Sequence, residues 1–231
     1  MKRFYRAAEI EVRDGLYQVT LDGKPARTPA RRALALPRRD AAAAIAAEWA
    51  TQPDEFEPAD LRLTRLANTA IDRVAGNRAR VIEEIARFAT TDLICYRATE
   101  PPELVRRQHE SWQPLVDWAA ARYGARLAVT AGVVPAAQTP ETLAALACAI
   151  EGYDDFALTA LHAATAAAGS LMIGLALAEG RIDAEQGYAA SCLDEHFQAE
   201  TWGLDREAEQ RRAALKADIE AAARFFVLLR G

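Results

Sequence analysis

The sequence predicts an α+β protein, with a small β-rich α+β domain over residues 1–60 and a larger all-helical domain over residues 61–231. Three observations carry that reading. Apolar and polar residues alternate through the first two dozen positions, the mark of half-buried strands. From Leu61 onward the apolar period changes to that of a helix. Alanine, the strongest helix former, supplies 53 of the 231 residues.

Ala8, Ile10 and Val12 alternate with Glu9, Glu11 and Arg13, and Tyr17, Val19 and Leu21 alternate with Gln18, Thr20 and Asp22. Asp14-Gly15 between them predicts a hairpin turn, and Asp22-Gly23 a second turn. Pro25 and Pro29 confine the next stretch to an edge or an irregular extended piece, and Ala33–Leu36 reads as one more short strand. An Ala-rich helix follows over residues 38–52. Leu63, Leu66, Ala67, Ala70, Ile71 and Val74 then form one helical stripe, broken at Gly76-Asn77. The next helix starts near Val81 and runs toward Asp92–Arg97. Pro101-Pro102 seeds a helix that Gly124 stops and Pro114 kinks or splits. A short strand is expected at Leu127–Thr130, then helices at about 140–151, 154–167, 169–179, 183–202 and 205–229.

Composition excludes several classes. Apolar residues at 51% and charged residues at 26% describe a globular chain rather than a disordered one. The 28 basic and 33 acidic side chains give a net charge of −5, without the basic excess of a nucleic-acid binder. Cys95, Cys148 and Cys192 are odd in number and far apart, so neither a disulfide framework nor a CxxC site is expected. The first six residues are basic but have no apolar signal core, and Glu9 and Glu11 come early for an acid-poor presequence. A bacterial cytoplasmic protein, complete as written, is therefore expected. Residues 156–178 carry no formal charge apart from His162. Thr159, Thr165 and Ser170 dilute this run, and its ends lack basic clusters and aromatic belts. It reads as a buried helical hairpin, not as the span of an integral membrane protein.

No phosphate-cradling P-loop, strand-linked G-x-G-x-x-G or G-x-S-x-G elbow is present, so no catalytic residue, metal or cofactor is expected. Gly169 and Gly174, five apart in an apolar pattern, read as points of close helix packing. Cys192, His196 and Glu200 fall at i, i+4 and i+8, on one face of the expected 183–202 helix. They are metal-ligand types, but no second cluster completes a site. The favoured reading is a core cysteine beside a surface pair. The alternative is a small-molecule-binding or metal-dependent enzyme with a site near Asp194, His196 and Glu200. His109 and His162 are isolated. Trp112 and Trp118 read as core anchors, and Trp49 as packing between the two domains. Charge is segregated: residues 1–40 hold ten basic and five acidic side chains, and residues 183–209 hold eight acidic and one basic. The acidic stretch is either a solvated face or a surface for a positive protein partner. Trp202 within it is either a core plug or an interface anchor.

An ordered set of motifs then stands out: Lys2-Arg3-Phe4-Tyr5, Leu21–Pro25 with Thr28-Pro29, Ala47-Glu48-Trp49, Leu63–Val74, Thr91–Arg97, Trp112–Leu115 with Asp117-Trp118, Gly169-Ser170 and Gln198–Gly203. With these, nearly the whole chain resembles the assembly chaperones of the alpha subunit of the F-type ATP synthase catalytic head, a mitochondrial and alphaproteobacterial family. Gln113, where the family often has Asp, and Leu61-Arg62, where it often has Met-Pro, depart from the pattern. The resemblance implies a non-catalytic chaperone that binds the free alpha subunit and shields its assembly interface until the beta subunit replaces it; a monomer is expected. It implies partner contacts at Glu195, Gln198, Glu200 and Trp202, and charge alone adds Asp205.

Overall fold

The computed structural model describes residues 1–132, 136–203 and 206–230 and, at Trp202, the backbone alone. Strands β1 (Ala8–Arg13) and β2 (Leu16–Leu21) pair antiparallel from Ala8↔Leu21 to Arg13↔Leu16. The connecting turn needs positive φ at both central residues, and Asp14 (+53°) and Gly15 (+77°) supply it. Asp22 (+49°) and Gly23 (+72°) repeat the device. Strand β3 (Lys24–Pro25) and strand β4 (Ala35–Leu36) both pair with β2, at Thr20 and Leu21 and at Tyr17 and Gln18 respectively, so β1 forms one edge of the sheet. Helix α1 (Arg39–Ala50) covers the sheet through Ala41, Ala42, Ala44, Ile45 and Ala46. The α+β class expected from the sequence is the one observed.

Helix α2 (Arg62–Thr69) continues into a wide π turn at Ala70–Val74. The apolar stripe is buried at Leu63, Ala67, Ala70 and Val74. Helix α3 (Arg78–Arg87) ends ten residues before the expected limit. Two short 3-10 turns and β5 (Tyr96–Arg97) replace its continuation, because Asp92 adopts extended backbone and caps Ile94. Helix α4 (Pro102–Tyr123) is continuous for 22 residues and stops at Gly124, φ +70°. Pro114 lies on the exposed side of the helix and does not split it. Strand β6 (Thr130–Ala131) pairs parallel with β5.

Helices α5 (Pro140–Glu151), α6 (Asp155–Ala168) and α7 (Leu171–Ala178) follow. All eight residues of α7 are buried, which is why the sequence there shows no amphipathic period. Gly174 permits the close approach expected of it: an added Cβ would lie 3.3 Å from Leu161 Cδ1 and would collide with Thr165 Oγ1. Gly169 does not, because a Cβ there would meet nothing within 4 Å. Its role is conformational, a φ of +64° that turns the chain from α6 to α7. No described helix is long and apolar enough to cross a membrane.

The single helix expected over 183–202 is two, α8 (Ala184–Ser191) and α9 (Leu193–Trp202). Buried Cys192, at φ −104° and ψ 16°, leaves helical geometry between them. Helix α10 (Arg206–Arg230) completes the described chain.

Two compact units result: Met1–Arg78 with Asp154–Ala160 and Arg224–Gly231, and Ala79–Tyr153 with Leu161–Ala223. The first has a core that includes Leu34, Leu36, Ile45, Leu158 and Phe225. The second is built around Ile85, Ile94, Trp112, Leu146, Ile150 and Leu171. Trp49 lies in the first unit, and its hydrogen bond to Thr64 crosses the boundary expected at residues 60 and 61. Its ring meets Tyr5 and Phe56, at centroid distances of 5.4 and 6.2 Å, and its N–H bonds Thr64, all in that unit.

Candidate functional site

The acid-bearing helix α9 is held by α4 and α10. Trp112 of α4, fully buried, donates its indole N–H to the Ala190 carbonyl at the end of α8 (2.8 Å). Gln108, 1% exposed, uses both ends of its amide: Oε1 accepts from Ala98 N–H (2.7 Å), and Nε2 donates to Asp194 Oδ1 (2.8 Å). Beside it on α4, Arg107 donates to Glu200 Oε2 at 2.8 Å and lies over the Phe197 ring at 5.4 Å. Arg212 of α10 approaches Glu195 at 3.9 Å, and Lys216 pairs with Glu185 at 2.6 Å.

Beneath this lies Arg97, which donates to the Gln108 carbonyl at 2.7 Å and stacks over Trp112 at 5.2 Å. Burial lowers its pKa, because the charged form loses water. Hydrogen bonds from Arg106 and then Arg107 hold the Glu103 carboxyl below the usual carboxylate range. The acidic excess counted along residues 183–209 is therefore partly offset by cations from α4 and from the middle of α10.

The expected site residues divide. Glu195 and Gln198 are exposed and, three residues apart, occupy one face of α9. Glu200 is exposed but lies about 140° around the helix from Glu195, on the side where Arg107 binds it. The Trp202 side chain and Asp205 lie outside the described residues.

Asp194, His196 and Glu200 do not converge. Asp194 is taken by Gln108, Glu200 by Arg107, and His196 Nε2 lies 3.2 Å from the Tyr188 hydroxyl. Cys192 sits at the break between two helices, so it does not share a continuous face with His196 and Glu200. Burial also pushes its thiol pKa up, disfavouring the thiolate a metal needs. Among the described residues no three His, Cys, Asp or Glu side chains are grouped to hold a metal ion.

Gln108, Arg107 and Arg212 escaped the sequence reading, since nothing local marks a residue that serves a helix far along the chain. Asp92 is a second case. It is fully buried and accepts from Ile94 N–H (3.3 Å) and from Met172 N–H (3.1 Å) at the start of α7. Desolvation raises its carboxyl to about 6, against the opposing pull of Ser170 and of these backbone donors. The only signal for it was its place inside the Thr91–Arg97 motif.

Comparison with known proteins puts this chain among the chaperones. The family model described as ATP12 chaperone protein matches residues 2–120, more than half of the chain. The chain belongs to that family, the ATP12 chaperones of ATP synthase assembly. It is 23% identical over 221 residues to the mitochondrial protein atp12 of Schizosaccharomyces pombe, covering 90% of this chain and 76% of the relative. The crystal structure of Atp12 from Paracoccus denitrificans superposes with a TM-score of 0.93 at 43% identity, covering 99% of this chain and 98% of that one. A point mutant of the same Paracoccus protein matches with the same TM-score and coverage at 42% identity.

Proposed function

We propose that this chain binds the free alpha subunit of the F-type ATP synthase catalytic head and shields its assembly surface until the beta subunit displaces it. It does so as a monomer in the bacterial cytoplasm and without catalysis. Glu195, Gln198 and Glu200 make the contact, together with Trp202 and Asp205. Family membership supports the client class. The observation that carries the location is the exposed Glu195–Gln198 face on a helix tied to α4 through the Gln108–Asp194 hydrogen bond. An anchored helix loses little further freedom on binding, and the carboxylate of Glu195 on its open face steers a basic partner.

The test is capture of separately produced alpha and beta subunits on the tagged chain. Alpha alone is expected to be retained. The doubly substituted Glu195→Lys, Gln198→Lys chain is expected to associate more slowly, most clearly at low salt. Equal retention of beta, or unchanged alpha capture by a folded double variant, overturns the reading.

A further inference from the structure

Helix α9 lies between two departures from helical geometry, Cys192 (φ −104°, ψ 16°) before it and Gly203 (φ +95°, ψ 171°) after it. No described side chain of α9 is fully buried. A packed helix is ordinarily held by a buried apolar stripe, so here the holding falls largely on polar contacts. Two of these are weak. The Arg107–Glu200 pair is partly exposed on both sides, and pairs of that kind contribute little. Arg212 stands 3.9 Å from Glu195, beyond hydrogen-bond reach. His196 turns to Tyr188, which belongs to α8 rather than to α4.

Gln108 differs from these. It is buried, its own carbonyl accepts from Arg97 (2.7 Å), and its Oε1 accepts from Ala98 N–H (2.7 Å). A backbone N–H can only donate, so the amide oxygen is committed to Ala98 and the amide nitrogen is left for Asp194. Asp194 stands in the first turn of α9, and the 2.8 Å bond to it fixes how the helix is rotated about its axis. Asp194, Phe197 and Glu200 then face α4, where Arg107 meets the last two. Glu195 is left about 100° round from Asp194, on the open side.

We infer that Gln108 is a positioning residue for the client surface: its side-chain amide holds the first turn of α9 so that Glu195 and Gln198 face outward. At 1% exposure Gln108 is itself too deeply buried to touch a client. The inference rests on the reading that α9 meets the client. A helix released at its first turn presents that face only part of the time, and the apparent affinity falls by the same fraction.

The test compares Gln108→Leu, Asp194→Leu, the two together, and Asp194→Asn in capture of the alpha subunit by the full chain. Leu removes the donor or the acceptor, whereas Asn keeps an acceptor oxygen in place and removes only the charge. Each Leu variant is expected to raise the apparent Kd about ten-fold, the effect of one hydrogen bond on the competent population. The double variant should lose less than the product of the two, because both remove one shared bond. Asp194→Asn should stay within about two-fold of the parent, since the bond survives. Hydrogen–deuterium exchange reads the position itself: amides of α9 should exchange faster in the Leu variants, and those of α7 should not. Melting temperatures establish that each variant is folded. Unchanged α9 exchange in the folded Leu variants overturns the inference. So does normal capture by them where the Glu195→Lys, Gln198→Lys chain has lost it. Asp194→Asn as damaging as Asp194→Leu overturns it too, because the charge and not the bond would then be at work. If the Glu195→Lys, Gln198→Lys chain captures alpha normally while the Leu variants loosen α9, the client reading fails and the hold of Gln108 on α9 stands.

Discussion

The Trp49 indole N–H donates to the Thr64 hydroxyl at 2.9 Å, and that hydroxyl donates in turn to Glu48 Oε2 at 2.7 Å. Glu48 also accepts from the backbone N–H groups of Leu63 (2.8 Å) and Thr64 (2.9 Å), so a side chain of α1 caps the first turn of α2. Those donors would otherwise have no intrahelical partner. The adjacent pair Glu48-Trp49 thus fixes the entry of the helix that carries the Leu63–Val74 stripe.

Glu48→Ala should destabilise the N-terminal unit by about 1–3 kcal/mol, the cost of leaving such donors unpaired. Trp49→Phe should cost less through its hydrogen bond, because Thr64 keeps Glu48 as a partner, with a further loss from ring packing against Tyr5 and Phe56. Denaturant melts of the two variants check the order. A Glu48→Ala chain as stable as the parent would remove the capping role.

Asp92 predicts an unusual pH dependence. Its carboxyl titrates at about 6 in the folded chain against an ordinary 3.8. Between those values the folded state binds the extra proton. Stability from this group is therefore fully present below about pH 4 and is lost as pH rises through 6, by on the order of 3 kcal/mol. Asp92→Asn cannot titrate, so the stability of the parent relative to the variant should fall as pH rises from 4 to 7. A gap independent of pH between 4 and 7 would contradict this.

Gly174→Ala should destabilise by about 1–3 kcal/mol through overpacking. The new methyl meets Thr165 Oγ1, a buried hydroxyl with no hydrogen-bond partner among the described residues, and Leu161. Thr165→Ala removes the principal obstacle. The double variant should then be more stable than Gly174→Ala alone, and a double-mutant cycle measures the coupling.

Thiol labelling should distinguish the cysteines. Cys148 is exposed, whereas Cys95 and Cys192 are buried. Burial, with a smaller push from Asp92, raises the Cys95 thiol to about 12. One fast thiol per native chain, identified as Cys148 by mass spectrometry, is expected with Ellman's reagent. Three fast thiols would show that both buried sites open readily.

The local features were legible because they depend on neighbours in sequence. Asp14-Gly15 announces its hairpin, since only such residues sit easily at paired positive φ. Gly124 announces the end of α4 for the same reason. The lengths of α3 and of α8–α9 were not legible, although both regions carry helix-forming residues. Asp92 abandons the helix to cap α7, 80 residues away, and Cys192 breaks one at a buried junction.

The candidate site follows the same division. The sequence by itself determined the α+β class, the family and the acidic character of residues 183–209, because periodicity, motif order and charge are properties of a linear string. Only the tertiary structure decided which acids are open. It turned Asp194 to Gln108 and gave Glu200 the Arg107 partner while leaving it exposed, and it left Glu195, 3.9 Å from Arg212, exposed beside Gln198 on α9. The physical reason is range: a carboxylate is satisfied by whichever hydrogen-bond donor or counter-charge lies within a few ångströms, and folding chooses Gln108 and Arg107 of α4, 86 and 93 residues away.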